Sequence, residues 1–98
     1  MKAGMFMKIN INHYKKSDRE LYHNGGKLYL NNNKIAFKRF KTIFEMDADE
    51  AFCRVLPGEG FWNSVELFSK DQRYTLLVTK RNQAKILDWF KINNYHSL

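Results

Sequence analysis

Apolar and polar residues alternate along most of this chain, and the period changes only near the carboxy terminus. Met5, Met7, Ile9 and Ile11 fall on one side of the first segment, with Phe6, Lys8 and Asn10 on the other. A period of two sets one face on a core and the other in water, so a strand is expected over 5–14. The polar run 15–20 reads as a loop and 21–23 as a short extended piece. Asn24-Gly25-Gly26 reads as a break, because glycine reaches backbone angles that other residues avoid. Residues 27–30 and 34–40 flank Asn31-Asn32-Asn33. Asparagine tolerates the left-handed region and bonds its own backbone, so this run predicts a hairpin turn. Segments 42–46 and 51–56 are further short apolar stretches, the second closed by Pro57-Gly58-Glu59-Gly60. Residues 61–68 and 73–79 alternate again around the polar turn 69–72.

The last segment is helical in period. Ile86, Leu87, Trp89 and Phe90 recur at three- and four-residue spacing, while Lys85, Asp88 and Lys91 fall mostly away from them. A helix is expected over about 80–93, with Thr79 or Asn82 capping its start and Asn93-Asn94 ending it. Evenly spaced strands followed by one helix predict a mainly β fold. The expected form is a barrel or sandwich of about six or seven antiparallel strands, closed by the amphipathic C-terminal α-helix. Its 98 residues suit a single domain, 1–98. Eight Phe, five Tyr and two Trp can fill its small core with large side chains.

Charge and cysteine narrow the setting. Seventeen Lys and Arg against ten Asp and Glu leave +7, a balance that permits an anionic partner without identifying one. Cys53 is alone, so it forms no intrachain disulfide, and its expected place is a small buried hydrophobe. The first residues hold no apolar stretch of signal-peptide length, and no run of about 18 apolar residues occurs anywhere. A cytoplasmic location is expected, with a peripheral place at a membrane surface as the other option. His13, His23 and His96 are far apart in sequence. No Gly-x-Ser-x-Gly or phosphate-cradling glycine loop is present. No catalytic residue, metal or cofactor is expected.

The core of the chain, 26–93, resembles the pleckstrin-homology superfold in its bacterial PH-like and GRAM-like branch. Gly26-Lys27-Leu28-Tyr29-Leu30-Asn31-Asn32-Asn33-Lys34-Ile35-Ala36-Phe37 is similar to the opening hairpin of those families. Val65-Glu66-Leu67-Phe68, followed by Lys70-Asp71 and Tyr74-Thr75-Leu76-Leu77-Val78, resembles the hairpin before their closing helix. The resemblance implies a non-catalytic binding or adaptor domain for a protein partner or an anionic phospholipid. It also implies a place to look for the ligand, since lipid-binding members carry a basic pattern around the first two strands. Here the nearest match is Lys34, Lys38, Arg39 and Lys41, with Arg39-Phe40-Lys41 reversed in order relative to that pattern.

Other residues compete for attention. Lys80 and Arg81 lie beside the start of the expected helix, where cations and backbone N–H groups together favour an anion. Trp62 follows a turn and is a candidate exposed aromatic contact for a membrane interface or a partner pocket. Glu45, Asp47, Asp49 and Glu50 gather four of the ten carboxylates in six residues, a solvated turn or a docking patch for a basic partner. The alternative function is a small basic β-barrel module for nucleic acid, since basic residues interleave with aromatics in Phe37-Lys38-Arg39-Phe40-Lys41. Exposure of Phe40 and Tyr29 on an open basic face favours base stacking; burial of both favours the adaptor.

Overall fold

A computed structural model describes residues 6–19 and 21–98. Eight strands and one helix follow in chain order: β1 (Met7–Lys16), β2 (His23–Asn31), β3 (Lys34–Arg39), β4 (Lys41–Asp47), β5 (Phe52–Glu59), β6 (Trp62–Phe68), β7 (Arg73–Val78), α1 (Lys80–Ile92) and β8 (His96–Ser97), with a 3-10 turn at Ala48–Glu50. The strands pair in the order β4-β3-β2-β1-β7-β6-β5-β8, a single sheet that strand pairing does not close. This is a mainly β fold with one C-terminal helix. Eight strands stand where six or seven were expected, and β8 runs parallel to β5, through Phe52–His96 and Cys53–Ser97.

β1 is the hinge of the architecture. Met7 to Tyr14 pair with β2, and His13 to Lys16 pair with β7, so one strand belongs to two half-sheets. Their inner faces meet around a run of rings: Tyr14 on Phe37 at 4.8 Å, Phe37 on Phe44 at 5.6 Å and Phe44 on Tyr74 at 4.3 Å. Ile86, Trp89 and Phe90 of α1 are wholly buried in the same core. Each such side chain contributes about 1.5–3 kcal/mol on leaving water. The Thr79 hydroxyl accepts the Asn82 N–H and starts the helix, and Asn93 ends it with Asn94 in the left-handed region.

The structure corrects several local expectations. Met5 and Glu20 lie outside the described residues. Lys15 and Lys16 are strand and not loop, because the backbone of Thr75 and Tyr74 is there to pair with them. Gly25 and Gly26 do not break the chain; they lie within β2. Their use is close approach, since a Cβ at Gly25 would lie 1.7 Å from the Ile11 carbonyl oxygen and one at Gly26 would lie 2.2 Å from that of Lys38. Pro57 and Gly58 do not end β5 either. The strand passes through them as an irregularity in register between Leu56 and Glu59, which is how a strand accommodates proline. The turn is thereby displaced to Gly60 and Phe61.

Candidate anion-binding surface

The β3–β4 connection is one residue long. Arg39 and Lys41 face each other across it, and Phe40 alone makes the turn, with φ at 65°. The register slips between Phe37 and Lys38, so that Phe37 meets Phe44 while Lys38 meets Thr42 and Ile43 is the extra residue. Such a bulge sharpens the twist and re-aims side chains near the strand end. The Phe40 ring is 98% exposed, with the Arg39 guanidinium 4.9 Å from its centre. Lys38 lies over Tyr29 at 5.3 Å, so it and Arg39 serve different rings. No carboxylate among the described residues pairs with Lys38, Arg39 or Lys41.

The β1–β2 loop lies at the same end of the β1–β4 meander, because alternate hairpin turns fall at the same end. Between that loop, β4 and β7 is a groove of about 720 Å³, lined by Tyr14, Lys16, Arg19, Leu21, Ile43 and Tyr74 among others. Leu21 is 78% exposed at its rim. One end of the molecule therefore presents two bare apolar side chains, Leu21 and Phe40, among the cations Lys16, Arg19, Lys38, Arg39 and Lys41 and the carboxylate Asp18.

The other sequence candidates do not join this group. Lys34 lies at the far end of β3, about 16 Å from Arg39 at the usual strand rise. Its ammonium donates to Asp47 at 2.7 Å and lies 3.9 Å from Glu45. The hydrogen bond and charge of Asp47 raise the Lys34 pKa, and Lys34 in turn holds the Asp47 carboxyl below its ordinary value. Part of the acidic concentration is thus the partner of Lys34. Lys80 and Arg81 are the first two residues of α1, both exposed. They follow the end of β7, beside the β5–β6 turn. Trp62 is half-buried, edge-on to His13 at 5.9 Å, and the exposed ring of that turn is Phe61, at 97%.

Of the two rings whose exposure separates stacking from the adaptor, Phe40 lies fully in water. Tyr29 is half-buried beneath Lys38 and beside Phe6 at 6.5 Å, so the two rings that bear on nucleic-acid stacking divide. Leu21, Lys16 and Arg19 escaped sequence reasoning because only the folded loop brings them to the groove. Cys53 is buried, and burial pushes its thiol pKa up to about 12, leaving it unreactive at neutral pH. The three histidines stand apart: His13 against Trp62, His23 against Tyr14 and His96 against Phe52. Among the described residues no helix is long and apolar enough to cross a membrane. Comparison with family models, with curated proteins and with solved structures gives no match to this chain.

Proposed function

We propose that this protein is a non-catalytic binding module of the PH-like kind, and that its target is an anionic phospholipid surface. The strand order supports the PH-like part: a four-strand meander continues through β1 into β7, β6 and β5, and a C-terminal helix packs into the core. The observation that carries the target is Phe40, wholly exposed at the apex of a turn between Arg39 and Lys41. An aromatic ring flanked by cations suits the boundary between lipid headgroups and acyl chains. The ring leaves water there, and each cation gains about 1 kcal/mol from the negative surface. Leu21, exposed at the rim of the groove at the same end, gives a second apolar point of entry. The protein then lies on the membrane, peripheral to it.

Sedimentation with phosphatidylcholine vesicles, with and without phosphatidylserine, tests this. Binding is expected only to the anionic vesicles, to weaken as salt rises, and to fall about tenfold or more in Phe40→Ser. The membrane reading fails if anionic vesicles are ignored at low salt. Binding of an oligothymidine strand instead, with a steep salt dependence, would make nucleic acid the target. The geometry ranks nucleic acid second because Tyr29 lies under Lys38 and offers no open platform for a base.

A further inference from the structure

The outer face of β5, β6 and β7 carries a second constellation, distinct in its residues from the β3–β4 turn. His96 stacks on Phe52 at 4.7 Å, Phe52 stacks on Phe68 at 5.4 Å, and the Arg73 guanidinium lies 4.1 Å over Phe68. Beside this row Glu66 is only 4% exposed. Its Oε1 accepts from Arg54 at 2.7 Å and from Arg73 at 3.0 Å. The register sets the rows in order, with Phe52, Phe68 and Arg73 across one and Arg54 and Glu66 across the next. On the other side of the aromatic row is the 3-10 turn that leads into β5. Its Asp49 and Glu50 are exposed, and Glu50 and Phe52 line one hollow. No cation among the described residues lies within 4 Å of Asp49 or Glu50, although the charge of Glu50 acts on Lys34 in the same hollow. The face therefore runs from carboxylates, through a row of half-buried rings that ends on Arg73, to Arg54 beside Glu66.

We infer that this face is an isologous interface and that its occupant is a second copy of the chain. Acid and arginine on opposite sides of one apolar row make a surface complementary to itself. A two-fold axis along the Phe52–Phe68 row lays the Asp49–Glu50 turn of each copy on Arg54 of the other, and the contact closes at two copies. Each arginine uses one of its five N–H donors on Glu66 in the contacts above, so donors remain for a second carboxylate. Glu66 holds both guanidinium groups in place beforehand, which lowers the ordering cost of association. Rings and arginines at the centre with charge around them is the composition of interfaces where binding energy concentrates. The β3–β4 turn takes no part, so this inference stands or falls apart from the membrane reading.

Sedimentation equilibrium of the full chain over a wide concentration range tests it. The mass is expected to rise from one copy to two, with weaker association at high salt. The double variant Asp49→Lys/Glu50→Lys changes only exposed turn residues and should stay monomeric. A second variant, Arg54→Glu, should also be monomeric alone. Mixed in equal amounts, the two should restore a dimer, since in the mixed pair both contacts regain opposite charges. If Arg54→Glu fails to fold, judged by circular dichroism, the acid-turn variant and the salt series decide the matter. A wild-type chain that remains monomeric at about millimolar concentration overturns the proposal, as does a dimer that the acid-turn variant leaves intact. Vesicle binding by the monomeric variant remains a separate readout, so failure of either idea is recognisable.

Discussion

The β3–β4 and β5–β6 turns both end in an exposed phenylalanine, yet they are built in opposite ways. At the β5–β6 turn Gly60 takes the left-handed conformation, with φ at 62°, and Phe61 follows it at 97% exposure. Glycine adopts that conformation at no steric cost. At the β3–β4 turn Phe40 takes it itself, with φ at 65°, while 98% exposed. A bulky residue there is strained by about 1–2 kcal/mol. Nothing it packs against repays that, apart from the Arg39 guanidinium over its ring. The surroundings differ as well, since Phe40 lies between Arg39 and Lys41 and Phe61 between Gly60 and Trp62. An exposed ring held in a strained conformation among cations is hard to explain by folding alone. The ring at the unstrained turn needs no such explanation.

The largest test of this contrast is a matched pair of ring deletions. Phe40→Ser is expected to weaken binding to anionic vesicles by about 10- to 100-fold, the value of burying one such ring. Phe61→Ser should change it less than about threefold. Equal losses would mean that the two turns act together and would remove the special role of the β3–β4 turn. Charge reversal extends the comparison: Lys41→Glu should cost about tenfold or more on the same vesicles, as a cation is lost and an anion gained near the surface. Lys80→Glu should do little. A loss at Lys80 matching that at Lys41 would move the binding surface to the start of α1.

An effect of intermediate size lies far from both turns. Glu66 keeps its carboxyl below the usual range although burial acts in the other direction and is the largest single influence. Hydrogen bonds from Ser17, Arg73 and Arg54 outweigh it. The folded state therefore binds fewer protons than the unfolded chain just below pH 4.5. This stability is fully present above that value and is lost as pH falls through the lower, folded pKa. Asp47 acts with the same sign. Glu66→Gln is expected to lower stability at pH 7 by about 1–2 kcal/mol and to flatten the acid dependence, followed by urea melts between pH 3 and 7. Vesicle binding at pH 7 should be unchanged by it, because neither turn contains the residue.

How much of this was legible in the chain depends on the range of the interaction. The helix was, because Ile86, Trp89 and Phe90 repeat at helical spacing and all three are buried. So was the β2–β3 hairpin, whose Asn32 takes a φ of 53° within the asparagine run. What required distant partners was not. Lys15 and Lys16 look like loop until β7 is beside them, and His96 looks like a tail until β5 is. Lys34 looks like part of a basic cluster until register places Asp47 opposite it, thirteen residues away. The β3–β4 turn is the clearest case. Arg39-Phe40-Lys41 holds no glycine, proline or asparagine, so nothing local announces a reversal. Pairing of β3 with β4 forces Phe40 into a conformation it would not choose.

That conflict supplies the smallest and most discriminating prediction. Phe40→Gly should remove the left-handed strain, worth about 1–2 kcal/mol, and lose almost no packing. Greater freedom of glycine in the unfolded chain offsets about 0.5–1 kcal/mol of that gain. The net expectation is a fold more stable by about 0.5 kcal/mol that no longer binds vesicles. Phe40→Ala separates the two causes, since it removes the ring but keeps a Cβ at positive φ. It should lose binding without gaining stability. At the other turn Gly60→Ala has open space for its Cβ, with nothing within 4 Å, so its cost is backbone strain alone, about 1 kcal/mol. Its vesicle binding should match the wild type. Denaturant melts and sedimentation on these three variants form a closed comparison. If Phe40→Gly is less stable than the wild type, the ring is holding the fold, and exposure has misled about its purpose. If it is more stable and unable to bind, the strain at Phe40 is kept for contact with something outside the chain.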